Sequence, residues 1–206
     1  MLRHCDVRRK SPHGAVMARS RPVLRICGLL LCAFVVPQPS AAQLAHPTES
    51  QVKAVYLYNF AKFVRWQRNA GSANTFNICV LGQNPFGSNL DLTVAGESLG
   101  GKAIAPKNIA NMRAAEDCRI LFISSSEEGR LKEILREARH LNTLTVSDIP
   151  RFAQRGGMIE FVTQESRVRF EVNVEPIEKA GLTVSSELLK VAIKVMGSER
   201  AGRRDQ

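Results

Sequence analysis

The chain has 206 residues, of which 29 are basic and 19 are acidic, for a net charge of +10. Seven of the basic residues and one acidic residue lie within residues 1–42, so the rest of the chain has a net charge of only +4. Nucleic-acid binding needs a strongly basic face on the folded domain, and this small charge argues against it. The 164 residues beyond position 42 suit one domain with a hydrophobic core.

Residues 1–42 have the order of a secretory signal peptide: basic residues, then an apolar run from Ile26 to Val36, then small residues. The apolar run has eleven residues, whereas a helix needs about 20 to span a bilayer. We predict cleavage between Ala42 and Gln43. Met17 is an alternative start of the chain. The alternative interpretation of residues 1–42 is a signal anchor that is not cleaved. The protein is therefore predicted to be periplasmic, with no direct membrane insertion after cleavage.

Two of the five cysteines, Cys79 and Cys118, lie beyond the signal peptide. An even number of cysteines in an oxidising compartment favours a single disulfide bond between them. Two free, buried cysteines are the alternative.

A helix is predicted from position 49 to position 67, with Thr48 as its N-cap and Gln51 as the partner in a capping box. Apolar residues recur at helical spacing on one face, which is expected to pack on the core: Val52, Tyr56, Phe60 and Phe63. Tyr58 and Trp66 flank this face. They are predicted either to belong to the core or to anchor a partner protein, because amphipathic aromatic side chains are common at interfaces.

The remaining segments alternate between predicted strands and helices. Strands are predicted at 75–82, at 98–109 after a glycine turn at Gly100-Gly101, at 118–124 and at 143–146. Helices are predicted at 86–94, 127–140 and 185–196, a helical turn at 149–153, and a hairpin from 158–163 and 168–174. This pattern indicates a single α/β domain over residues 43–197, a three-layer sandwich. Its sheet is expected to be mixed and mostly parallel, with helices on both faces, the C-terminal hairpin as an antiparallel edge, and a last helix. Residues 198–206 are expected to form a disordered basic tail.

The predicted helix 127–140 has a strongly basic side, consisting of Arg130, Lys132, Arg136 and Arg139. These bases are either a solvated helix face or part of a partner-binding surface, together with or instead of Tyr58 and Trp66.

Catalytic and metal-binding patterns are missing beyond the signal peptide. Only His46 and His140 remain there, so neither a zinc site nor a Ser-His-Asp arrangement is predicted, and the two cysteines do not form a C-x-x-C motif. Three acids, Asp148, Glu160 and Glu171, are candidates for paired carboxylates, with nothing to single them out. We predict no catalytic residue, no metal and no cofactor, so a binding or regulatory module is favoured over an exported enzyme.

Seven blocks of the sequence, from Val52 to Ala192, resemble the YfiR/HmsC-type periplasmic regulator family: VKAVYLYNFAKFVRW, FNICVLG, CRILFIS, LTVSD, GGMIEF, RFEVN and GLTVSSELLKVA. The resemblance implies a soluble, often dimeric α/β protein that represses an inner-membrane diguanylate cyclase by binding its periplasmic domain. Less cyclic di-GMP then means less exopolysaccharide and biofilm. The resemblance also implies an OmpA-like outer-membrane lipoprotein that relieves repression by sequestering the regulator.

The family's cysteine pair maps onto Cys79 and Cys118, whereas the second, later pair of some members is missing from residues 149–173. The alternative function is a periplasmic small-molecule sensor or binding subunit that serves a histidine kinase or a transport system.

Overall fold

The computed structural model describes residues 46–66 and 74–197. The chain divides into two units, Met1–Gln43 and Leu44–Gln206, and all described residues belong to the second unit. The predicted signal peptide and the predicted basic tail lie outside the described residues.

The described residues form five α-helices and ten strands. The helices are α1 (Glu49–Phe63), α2 (Asn89–Val94), α3 (Leu131–Ala138), α4 (Val174–Lys179) and α5 (Ser186–Val191). The strands are β1 (Val64–Trp66), β2 (Thr75–Leu81), β3 (Ser98–Leu99), β4 (Lys102–Ile109), β5 (Cys118–Ile123), β6 (Leu144–Ser147), β7 (Ile159–Gln164), β8 (Arg167–Asn173), β9 (Leu182–Val184) and β10 (Lys194–Met196). Two 3₁₀ turns lie at Met112–Ala115 and Ser125–Arg130.

Eight strands form one mixed sheet in the order β10-β8-β7-β6-β5-β2-β4-β3, and β1 pairs with β9 in a separate antiparallel ribbon. The five neighbours β4, β2, β5, β6 and β7 are all parallel, while β3 and β8 run antiparallel to β4 and β7. The predicted α/β class with a mixed, mostly parallel sheet is confirmed.

The two faces of the sheet carry two separate hydrophobic clusters. Alternate side chains of β2 point to opposite faces, so Ile78 belongs to one cluster and Cys79 to the other. Helix α1 packs on the first face through Leu57 and Phe60, whereas α3 packs on the second face through Ile134. Helices therefore cover both faces, as predicted for a three-layer sandwich.

Helix α1 begins as predicted and ends earlier than predicted. The Thr48 N–H donates to Gln51 Oε1 at 2.8 Å and the Gln51 N–H donates to Thr48 Oγ1 at 3.3 Å, which confirms the capping box. Residues 64–66 were expected to be helical, but they form β1 because pairing with β9 competes with the helix. The prediction that this face packs on the core is confirmed for Phe60, which is fully buried. It is wrong for Phe63, which is 39 % exposed.

The C-terminal region differs most from the prediction. A single helix was expected at 185–196, but the helix ends at Val191 and the chain continues as β10, which pairs in parallel with β8. The N–H of Ile193 donates to the carbonyl of Phe170 at 3.0 Å and starts this pairing. The hairpin β7–β8 is present, but β8 is not the edge of the sheet, since β10 lies beyond it.

Smaller differences concern element boundaries. The glycine turn predicted at Gly100 and Gly101 is present, with positive φ at both residues, and β4 follows it, but residues 98–99 before the turn form a separate strand, β3. The predicted helix 127–140 is a 3₁₀ turn followed by α3, and the predicted helical turn at 149–153 is a series of turns. Helix α4 and strand β9 were not predicted.

Candidate functional site

Helix α3 presents a buried apolar side and an exposed basic side. Its four buried residues are those predicted from the sequence: Leu131, Ile134, Leu135 and Ala138. Lys132, Arg136 and Arg139 are exposed, and their spacing of four and three residues places them on one side of the helix. With Arg130 they line a shallow hollow of about 530 Å³. We call these four residues the α3 basic surface.

Among the described residues, three of the four cations on the α3 basic surface have no acidic partner. Arg130 donates through Nε to Glu127 Oε2 at 3.1 Å, so its charge is largely compensated. Within the part of the chain that the structure describes, Lys132, Arg136 and Arg139 make no ion pair. Glu133 is the single acid that lines the same hollow. The surface is therefore suited to contact an acidic surface of another molecule.

A disulfide bond lies in the layer beneath α3. It joins Cys79 of β2 to Cys118 of β5, with the two Cα atoms 5.8 Å apart, in agreement with the prediction. Both cysteines are at most 1 % exposed and share a cluster with Leu131 and Ile134 of α3. The disulfide therefore ties together the two strands that support α3.

A more enclosed cleft, of about 280 Å³, lies between α3 and α4, and we call it the α3–α4 cleft. It is lined by Leu135, Ala138, Arg139, Thr145, Gly156, Met158, Asn173, Glu175, Pro176, Lys179 and Ala180. Lys179 pairs with Glu175 at 2.5 Å, and this hydrogen bond holds the pKa of the Glu175 carboxyl below its usual value. Arg139 lines both this cleft and the α3 basic surface.

Tyr58 and Trp66 lie away from the α3 basic surface. The Tyr58 hydroxyl donates to Glu97 Oε2, and the Lys62 ammonium lies 4.0 Å from the centre of the Tyr58 ring. Trp66 is half-buried and packs edge-on against Phe76, with ring centres 5.1 Å apart. Both residues pack against the cluster on the α1 side of the sheet. The structure thus does not join them with the bases of α3 in one surface, and their roles in partner binding remain predictions.

A buried ion pair at the end of β6 was missed by the sequence analysis. Lys53 Nζ lies 2.7 Å from Asp148 Oδ2 and 2.6 Å from Glu49 Oε1, and the Lys53 side chain is 9 % exposed. Burial alone would lower the pKa of Lys53, but the hydrogen bonds to Asp148 and Glu49 outweigh burial and raise it. A sequence signal existed, because Lys53 precedes the buried Leu57 by four residues and so shares its face of α1.

Glu160 and Glu171 lie opposite each other on β7 and β8, but each of the three candidate acids is engaged by other groups. Asp148 holds Lys53, and the carboxylate of Glu160 accepts the N–H groups of Arg151 at 2.8 Å and of Ala153 at 3.0 Å. Glu171 lies 4.0 Å from Lys194. The described residues contain no group of three or more histidine, cysteine or acidic side chains that could hold a metal ion. These contacts tie each of the three acids to other parts of the fold.

Comparisons with known proteins agree with this description. The family model described as YfiR/HmsC-like matches residues 50–193 of the chain. Among the helices of the described residues, none has both the length and the apolar character needed to cross a bilayer. No curated protein matches the chain in sequence.

Several solved structures match the chain, and one of them shares its fold with a TM-score above 0.5. A conserved domain protein from Vibrio cholerae O1 biovar eltor str. N16961 matches 72 % of this chain with a TM-score of 0.51 and 12 % identity. The ABC domain in complex with L-Trp from Streptococcus pneumonia matches 71 % of the chain with a TM-score of 0.48 and 11 % identity. The chain spans 60 % of each of these two chains.

Proposed function

Because this chain belongs to the YfiR/HmsC-like family, a family of periplasmic regulators rather than enzymes, we propose that it represses an inner-membrane diguanylate cyclase by binding the periplasmic domain of the cyclase. Repression lowers cyclic di-GMP in the cytoplasm and so reduces exopolysaccharide and biofilm. We further propose that the regulator forms a homodimer. An OmpA-like outer-membrane lipoprotein relieves repression by sequestering the regulator.

The α3 basic surface is the contact that we assign to the cyclase. Its support is a set of three cations on one side of the helix that make no ion pair with any described residue: Lys132, Arg136 and Arg139. Cations without a partner in the same chain can pair with acids of another chain without first breaking an internal ion pair. The partner is therefore expected to present an acidic patch.

A rigid support favours binding, because less conformational entropy is lost when the complex forms. The disulfide joins the two central strands below α3, and the helix buries four side chains on them. This arrangement supports a role in recognition and needs neither a nucleophile nor a metal.

The test compares four alleles at the native locus: wild type, a deletion, Lys132→Glu/Arg136→Glu, and Lys107→Glu/Lys190→Glu as the matched control. The control makes the same change in charge at two exposed lysines outside α3. We expect the deletion and the α3 double variant to raise cellular cyclic di-GMP, and the control to match wild type. Immunoblots of periplasmic extracts establish that all variants accumulate equally.

Unchanged cyclic di-GMP in the deletion strain would rule out the proposed function. A rise in the deletion strain without a rise in the α3 double variant would leave the function standing and remove the α3 basic surface from it.

A further inference from the structure

Arg139 belongs to two features at once, the α3 basic surface and the α3–α4 cleft. We propose that the cleft binds a small carboxylate with an apolar body, and that the bound anion engages Arg139 and so withdraws it from the partner surface. The binding site stands on its own geometry, whereas the effect on the partner rests on the proposed function.

The charge around the cleft points to an anion. Glu175 and Lys179 neutralise each other, with Nζ and Oε1 2.5 Å apart. Within the described residues the side chain of Arg139 makes neither an ion pair nor a hydrogen bond, so its guanidinium is the uncompensated charge of the cleft. A guanidinium presents parallel N–H donors that match the two oxygens of a carboxylate, which makes this anion the best fit.

The wall of the cleft points to an apolar body on that anion. The floor contains the side chains of Leu135, Ala138 and Met158, and Pro176 and Ala180 close the side of α4. The volume of about 280 Å³ lies just below the usual range for ligand pockets, which begins at about 300 Å³. The site therefore fits a molecule the size of a single substituted ring.

A buried hydroxyl adds a second polar contact. Thr145 is 2 % exposed and lines the cleft, and its Oγ1 accepts the N–H of Met158 at 3.2 Å. The Thr145 hydroxyl proton has no acceptor within the described part of the chain, so it is free to donate to a ligand. A buried donor without an acceptor favours a bound group that supplies one. Arg139 and Thr145 together thus define a site with two donors for the oxygens of a carboxylate.

The first experiment measures binding of benzoate and of benzamide, its uncharged analogue of nearly the same shape, to the purified protein by titration calorimetry and NMR. We expect benzoate to bind wild type with a dissociation constant of about 1 mM or lower, and benzamide to bind about tenfold more weakly. Arg139→Gln should reduce the benzoate affinity about tenfold. Arg136→Gln is the matched control, because it removes the same charge from a residue that lines only the basic surface.

A second variant blocks the cleft without changing any charge. Ala180 lines the cleft and has φ −81°, which a larger side chain also adopts, so Ala180→Leu should fill the space and abolish benzoate binding. Any of three results would overturn the site. These are no binding of benzoate by wild type, equal affinity of wild type for benzoate and benzamide, and the same loss of benzoate affinity in Arg136→Gln and Arg139→Gln.

The second experiment tests the effect on the partner. Affinity for the periplasmic domain of the cyclase is measured with and without saturating benzoate, for wild type and for Ala180→Leu. We expect benzoate to weaken the complex of wild type and to leave that of Ala180→Leu unchanged. If benzoate binds as expected but does not change the affinity of the complex, the claim that the ligand withdraws Arg139 from the partner surface is wrong. If the protein has no affinity for the cyclase while benzoate still binds through Arg139, the proposed function fails and the site remains.

Discussion

The two faces of the sheet are held together in different ways. The α1 face is aromatic: Phe60 stacks on Phe161 with ring centres 5.8 Å apart and meets Phe170 edge-on at 5.2 Å. The α3 face is mostly aliphatic and contains the Cys79–Cys118 disulfide. The comparison indicates that the α1 face derives its stability from large buried rings, whereas the α3 face depends on a disulfide bond. The outer side of α3 is then available for binding.

The largest expected effect is on the aromatic face. Phe60 is fully buried, so Phe60→Ala removes a whole ring from the cluster and should lower the free energy of unfolding by about 4 kcal/mol. Urea denaturation followed by circular dichroism measures this loss. Phe60→Leu is the matched control, with an expected loss of about 1.5 kcal/mol because most of the buried volume stays. Similar losses for both variants would show that the ring contacts, rather than the buried volume, account for the contribution of Phe60.

The next effect concerns the disulfide on the α3 face. The bond links residues 39 positions apart, and its removal in Cys79→Ala/Cys118→Ala should lower the free energy of unfolding by about 3 kcal/mol. Because both cysteines are at most 1 % exposed, mild reductant should leave the folded wild type oxidised, which mass spectrometry after thiol alkylation can establish. We also expect the double variant to bind the cyclase more weakly, since its support for α3 is looser. Unchanged affinity would show that the disulfide acts on stability alone.

The buried ion pair should contribute less, because Asp148 is partly exposed. Lys53→Met leaves the Asp148 carboxylate without its cation and should cost about 2 kcal/mol, whereas Lys53→Met/Asp148→Leu should recover most of that loss. The pKa of Lys53 is raised in the folded protein, so its stabilisation is complete below the ordinary lysine pKa and declines as the pH rises through the folded value. Urea titrations at neutral and at strongly alkaline pH measure this decline. A difference between wild type and Lys53→Met that did not shrink at alkaline pH would contradict the assignment.

The sequence predicts those parts of the fold whose signals are local. Strands β2 and β5 are buried on both faces, so they are continuous apolar runs, and the buried side of α3 follows directly from its spacing. Strands β1 and β10 have three residues each and exist because they pair with β9 and β8, which the pattern of residues 64–66 and 194–196 alone does not reveal.

The candidate site shows the same division. The bases of the α3 basic surface are visible in the sequence because they lie within one helix or at its two caps. The cleft was not predicted, because its second wall, α4, is six residues long and contains Pro176, so it lacks a helical signal of its own. The Lys53–Asp148 pair joins residues 95 positions apart, and only the folded chain brings them together.

The smallest expected effect on stability is at the α3 basic surface, and it separates binding from folding most sharply. Lys132 and Arg136 are exposed and make no ion pair among the described residues, so Lys132→Glu/Arg136→Glu should change the free energy of unfolding by no more than about 0.5 kcal/mol. The same variant is expected to lose affinity for the cyclase, and the loss should shrink at high salt because screening weakens the charge interactions in the wild-type complex. Urea denaturation and binding titrations at low and high ionic strength measure both quantities on one sample. A large loss of stability would place these bases among the structural residues of the α3 face, and its binding surface would then have to lie elsewhere.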